Sequence, residues 1–210
     1  MNFKEKVLFV ILDNYSDREY PLLADALQFG IENRASQYEV KTLSVTKQAV
    51  RSIGGFTTIP DYCVGDMPLD YAGLVLIGGY SWETGEARQL IPIVKNAYTQ
   101  KKVVAAICKA TEFLGGIGLL NECKHTSNTL ETLELSAGKA YTGERNYVSA
   151  QVVRDNRLIT ANGTAYLEFA REVLFALNAY PADYIERYYN LYKNGYIEYV
   201  KTAGNIQVFK

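Results

Sequence analysis

Residues 103–111, Val103-Val104-Ala105-Ala106-Ile107-Cys108-Lys109-Ala110-Thr111, read as a strand running directly into a helix. Five consecutive apolar residues suit a strand covered on both faces, as in a parallel sheet. A nucleophile-type residue then stands at the junction with small residues around it, which is a nucleophile elbow in outline. A thiol at a helix N-terminus feels the positive end of the dipole and unpaired amides, and both lower its pKa. The same position also suits a buried structural cysteine, because free Cys is among the most buried residue types.

Working outward, Val7 to Leu12 is a second continuous apolar run. After a turn at Asp13 to Ser16, Leu22, Leu23, Ala26, Leu27 and Ile31 recur at helical spacing from Glu19 onward, with Pro21 tolerated in the first turn. Tyr38 to Val45 alternates as a strand, and Gln48 to Ile53 with Thr57 to Ile59 flank Gly54-Gly55 as a hairpin. Leu74 to Ile77 is a buried strand ended by Gly78-Gly79, and Ala87 to Tyr98 carries the next helix. Lys109 to Leu114 predicts a helix stopping at Gly115-Gly116. After an irregular stretch, Tyr147 to Val153 pairs with Arg157 to Ala161 around Asp155-Asn156, and Thr164 to Asn178 is helical. The tail from Pro181 places Tyr184, Tyr188, Leu191 and Tyr192 on one helical face, a stripe for the domain or for a subunit partner. Strands alternating with helices predict an α/β fold, an open and mostly parallel sheet with helices on both faces.

The 210 residues suit one domain, 1–210, with 181–210 as a Tyr-rich helical extension. Lys and Arg total 22 against 23 acidic residues, and this balance offers no field for phosphate backbones or anionic lipid. Nucleic acid and membrane are therefore not expected partners. The apolar run after the N-terminus is too short for a signal core, so a cytoplasmic protein is expected. Cys63, Cys108 and Cys123 are an odd number at irregular spacing, which fits free thiols in a reducing compartment better than a disulfide framework. A single histidine and scattered thiols make a metal site unexpected, and no cofactor is implied.

In an open parallel sheet, ligands collect at the carboxyl ends of strands, which brings Asp13 to Glu19, Gly78-Gly79 and Cys108 to one crevice. The glycine pair leaves backbone amides approachable, so they could donate to an oxyanion formed at Cys108. Glu19 and Asp17 read equally as acids favoured at a helix start.

Asp17-Arg18-Glu19, Leu76-Ile77-Gly78-Gly79, Ala105-Ala106-Ile107-Cys108, Gly116-Ile117-Gly118-Leu119-Leu120 and His125-Thr126-Ser127-Asn128 resemble, in order and spacing, the DJ-1/PfpI superfamily, related to class I glutamine amidotransferases. The resemblance implies a flavodoxin-like three-layer sandwich and, commonly, a homodimer. It also implies that Glu19 hydrogen-bonds the Cys108 sulfur, protonated so as to donate to the thiolate, and that Gly78-Gly79 form part of an oxyanion hole. Trp82-Glu83 would wall the crevice, and loops around Tyr15, Trp82 and Asn128 would set specificity.

This sequence departs from that pattern where many relatives carry a histidine, because Lys109 and Asn128 stand there. Asn128 can hydrogen-bond but cannot act as a general base, and His125 need not reach Cys108. Three functional classes follow. The first is a cysteine hydrolase or amidase acting on a small-molecule or peptide substrate, with the Lys109 amide helping to receive the oxyanion. The second is an oxidation-responsive thiol, and the third a binding module that keeps the pocket without turnover.

Overall fold

The computed structural model describes residues 4–203, with side chains through Lys201; residues 204–210 of the tail expected above lie outside this range. Nine strands and seven α-helices follow in the order β1 (Glu5–Val10), α1 (Pro21–Gln28), β2 (Tyr38–Ser44), β3 (Val50–Arg51), β4 (Thr57–Thr58), β5 (Tyr62–Cys63), β6 (Gly73–Leu76), α2 (Ile91–Thr99), β7 (Val103–Ile107), α3 (Lys109–Gly116), α4 (Leu130–Ala137), β8 (Val152–Asp155), β9 (Leu158–Ala161), α5 (Tyr166–Leu177), α6 (Ala182–Asn194) and α7 (Tyr196–Ala203). Seven strands form the central sheet in the order β5-β2-β1-β6-β7-β9-β8. Every neighbouring pair is parallel except β8 and β9.

Alternation along the strands divides the core in two. Val7, Phe9, Val75, Ala105 and Ile159 point toward α1 and α5, where Leu23, Leu27, Phe169 and Val173 are buried. Leu8, Val10, Leu76, Val104 and Ala106 point the other way, toward Val94 of α2, Leu114 of α3 and Leu133 of α4. Helices on both faces explain why these strands are apolar throughout rather than alternating with polar residues. Full burial of each large side chain contributes about 1.5–3 kcal/mol.

Strand order reverses between β1 and β6: the chain leaves β1 toward β2 on one side, and β7 follows β6 on the other. Such a switch point leaves a crevice outside the carboxyl ends of the strands. The three segments expected to converge lie there, after β1, β6 and β7.

Several elements differ from their sequence reading. Helix α3 continues through Gly115-Gly116 instead of stopping before them. A Cβ on Gly115 would lie 2.7 Å from Leu133 Cδ1, so this glycine makes room for α4. Helix α4 lies in the stretch read as irregular; Thr129 caps it by accepting from the Thr132 N–H at 3.0 Å, and only Leu133 and Ala137 are buried on it. The helix read from Ala87 is a 3-10 turn over Glu86–Leu90 followed by α2, with Pro92 in the first turn of α2 where its missing N–H is tolerated. The strand read from Tyr147 starts only at Val152. Helix α1 starts after Tyr20 with no side-chain cap, and Asp17 instead accepts the Gly54 N–H at 2.6 Å, tying down the β3–β4 hairpin.

The tyrosine face of α6 packs on its own chain. Tyr188 donates to Leu22 O at 3.0 Å, Tyr180 donates to Ala26 O at 2.6 Å, and Arg187 pairs with Glu32 at 2.7 Å. Tyr188 and Leu191 of that stripe pack within the chain, whereas Tyr192 stays exposed. No helix among them is long and apolar enough to cross a membrane.

Candidate active site

Cys108 sits at φ 58° and ψ −133°, between the last residue of β7 and the first of α3. A non-glycine residue held there costs about 1–3 kcal/mol and persists only where the surroundings over-determine it. They do so from both sides. The Cys108 N–H continues the ladder to Ala161 O at 2.9 Å, while its carbonyl accepts from the Thr111 N–H at 3.0 Å and the Thr111 hydroxyl at 2.6 Å. With the Thr111 proton committed to that carbonyl, the Ser127 hydroxyl at 2.6 Å must donate to Thr111.

Three groups address the sulfur. Asn128 donates Nδ2–H to Sγ at 3.4 Å, and its Oδ1 accepts the Gly163 N–H at 2.9 Å, which fixes which end of the amide faces the thiol. The Lys109 N–H and the Glu19 carboxyl act on its ionisation as well, the first favouring the thiolate and the second opposing it. Glu19 is 2% exposed, and its Oε2 accepts the Gly78 N–H at 2.8 Å. Two glycines make this approach possible. A Cβ on Gly78 would stand 2.6 Å from Cys108 Cβ and 2.9 Å from Ile107 O; one on Gly163 would stand 2.9 Å from Cys108 Sγ.

Burial raises the Glu19 pKa above the ordinary carboxyl value, against hydrogen bonds from Gly78, Ser16 and Cys108 and the nearby Arg18 charge. Burial also pushes the Cys108 thiol up, and a charged Glu19 pushes it further, against the Asn128 and Lys109 donors. The lowering expected from the helix dipole is thus outweighed. The ionisation of the thiol is coupled to that of Glu19.

Other expected site residues are placed differently. The Gly78 N–H is engaged by Glu19, and Gly79 abuts the backbone of Asn14 and Tyr15; neither glycine lines the cleft at the sulfur. Of the polar groups expected at the site, the Asn128 amide donates to the sulfur and the Lys109 N–H favours its thiolate. The Lys109 side chain pairs with Glu83, whose neighbour Trp82 is buried with its indole N–H on Ile77 O at 2.7 Å. Tyr15 is buried too, its hydroxyl 2.8 Å from the Thr58 hydroxyl, so neither aromatic ring faces the cleft.

His125 is fully buried away from the sulfur. Its Nδ1 donates to Cys123 O at 2.8 Å, and Nε2 accepts from the Tyr141 hydroxyl at 2.7 Å, so both ring nitrogens are occupied. Cys123 is buried, and burial pushes its thiol up to about 11. Among the described residues no group of three or more His, Cys, Asp or Glu could hold a metal ion.

Cys108 and Asn128 open on a cleft of about 700 Å³ that Arg18, Gln151, Asn162, Gly163, Thr164 and Tyr166 also line. In sequence Arg18 stands out only as a neighbour of Glu19, and the rest of this wall does not stand out at all. The turn chemistry of Asn162-Gly163-Thr164 after a buried strand was the available signal.

A profile of the family described as "DJ-1/PfpI family" matches residues 5–176. The chain belongs to the DJ-1/PfpI family. It is 37% identical over 201 residues to a protein of Bacillus subtilis (strain 168) named uncharacterized protease YdeA, covering 96% of this chain and 98% of that one. A second protein of the same organism, named uncharacterized protease YoaZ, is 34% identical over 197 residues, covering 92% and 93% of the two chains. Among solved structures, a thiJ/pfpI family protein from Bacillus anthracis superposes with a TM-score of 0.89 at 32% identity, covering 97% of each chain.

Proposed function

We propose that this DJ-1/PfpI protein is a cysteine-dependent hydrolase or amidase in which Cys108 attacks the carbonyl carbon of a small-molecule or peptide substrate. The observation that carries this reading is the strained Cys108 backbone, which aims a sulfur contacted by Glu19, Asn128 and the Lys109 amide into a cleft. Strain maintained at a reactive side chain suits a site organised for chemistry rather than packing. The protease names of the Bacillus subtilis relatives agree with the class.

In the proposed reaction the carbon–sulfur bond forms as the thiol proton passes to Glu19. The Lys109 N–H and Asn128 Nδ2 receive the developing oxyanion. Glu19 returns the proton to the leaving amine as the carbon–nitrogen bond breaks, and water then hydrolyses the thioester with Glu19 reversing its role. Because burial raises its pKa, Glu19 in its ionised form is a stronger base for the thiol proton than a free carboxylate.

The test is intact mass spectrometry after exposure to a panel of activated esters and amides. An acyl adduct on the Cys108 peptide, absent from Cys108→Ala, supports the reading, and no adduct across the panel sinks it.

A second reading rests on the occupied ring of His125, which supplies no imidazole to the sulfur. In it, the thiolate reacts with peroxide to give a sulfenate and water, and a second peroxide gives a sulfinate held by the same donors. Peroxide titration read by peptide mass distinguishes the two. We place the protein in the cytoplasm, on its three free thiols, and as a homodimer, for which gel filtration is the check.

A further inference from the structure

Arg18 lies exposed in the wall of the Cys108 cleft. No ion pair within 4.0 Å engages it among the described residues. The other side chains of that wall carry no formal charge, and part of the wall is locked: Asn162 Oδ1 accepts from the Thr164 N–H at 3.0 Å and hydroxyl at 2.7 Å, and Asn162 Nδ2 donates to Gln151 Oε1 at 2.5 Å. The adjoining acid, Glu19, is buried and turned onto the Gly78 N–H.

A guanidinium with no ion pair within 4.0 Å, in a wall of neutral polar groups, leaves a positive potential in the cleft onto which Cys108 opens, shared in part with the buried Glu19. Its planar fork matches a carboxylate in bidentate fashion. With one cation and no second in the wall, the charge suits a monoanion better than a phosphate dianion.

We infer that Arg18 is a specificity-determining residue that selects carbonyl substrates bearing a carboxylate near the reacting carbon, the class of oxo acids and acyl amino acids. This rests on Cys108 being the nucleophile proposed above.

The experiment uses two reagents of nearly equal size, iodoacetate and iodoacetamide. With either, the Cys108 thiolate forms a carbon–sulfur bond and iodide departs with the electron pair. Labelling rates are read on the Cys108 peptide by mass. The iodoacetate-to-iodoacetamide ratio should fall roughly three- to tenfold in Arg18→Gln, fall less in Arg18→Lys, which keeps the charge but not the fork, and shrink in wild type as salt is raised toward about 1 M. An unchanged ratio in Arg18→Gln overturns the inference while leaving the nucleophile standing. Failure of both reagents to label Cys108 overturns both together.

Discussion

Asn128 is oriented by Gly163: because the Gly163 N–H occupies Oδ1 at 2.9 Å, the amide can present only its Nδ2–H to the sulfur of Cys108 at 3.4 Å. The residue standing where many relatives carry a histidine is therefore a fixed donor. Asn128→Asp keeps the Gly163 contact and replaces the donor with a charge that opposes thiolate. Alkylation of Cys108 at neutral pH should slow roughly tenfold, the effect of about one pKa unit on the thiol. A rate equal to wild type would show that the amide does not tune the sulfur.

The Glu19–Cys108 pair should reveal itself in the pH profile of alkylation. Wild type should show two inflections, because burial raises both groups and an ionised Glu19 opposes ionisation of the thiol that donates to it. In Glu19→Gln the carboxylate charge is gone, so one inflection should remain, below the upper inflection of wild type. A single inflection in both proteins, at the same pH, would mean that the groups do not share a proton.

Gly78→Ala places a methyl group 2.6 Å from Cys108 Cβ and 2.9 Å from Ile107 O, at the end of β7 where neither neighbour can yield. Overpacking of this kind costs about 1–3 kcal/mol, so the urea midpoint should drop. Gly85→Ala is the control, with nothing within 4 Å of its Cβ and an ordinary backbone conformation. Equal effects of the two substitutions would count against the close approach.

Burial lowers the His125 pKa below its ordinary value of 6.5, against the hydrogen bond to Cys123. In the window from the folded pKa up to 6.5 the unfolded chain binds more protons, so stability rises with pH there and is lost as pH falls through it. Chemical denaturation at a series of pH values should show this slope, and His125→Gln should flatten it. A slope retained in the variant would assign it to other groups.

The sheet was legible because Val7 to Leu12, Leu74 to Ile77 and Val103 to Ile107 are apolar without interruption, and only a doubly covered strand demands that. The junction at Cys108 was legible for the related reason that such a run passes directly into a helix there. Helix α4 was not, since eight residues with two buried positions carry too weak a period to read. Gly115 misled because a glycine that admits a neighbouring helix looks in sequence like one that ends its own. The Gly78 amide was assigned to an oxyanion because sequence shows that a donor is approachable but not which acceptor reaches it first. That Gln151, Asn162 and Tyr166 line the cleft depends on which loops meet beside Cys108, a tertiary relation that local pattern does not encode.

The groups around the sulfur come from segments far apart in the chain, with Glu19 and Gly78 joined across 59 positions and Asn128 and Gly163 across 35. Contacts of such sequence separation close late, after much of the loop entropy has been overcome. A chain halted before Gly163 would contain Cys108 yet lack the group that aligns Asn128. The tuned thiol is thus an emergent property of the completed chain, and its reactivity toward a small alkylating reagent can serve as a clock for the final stage of folding.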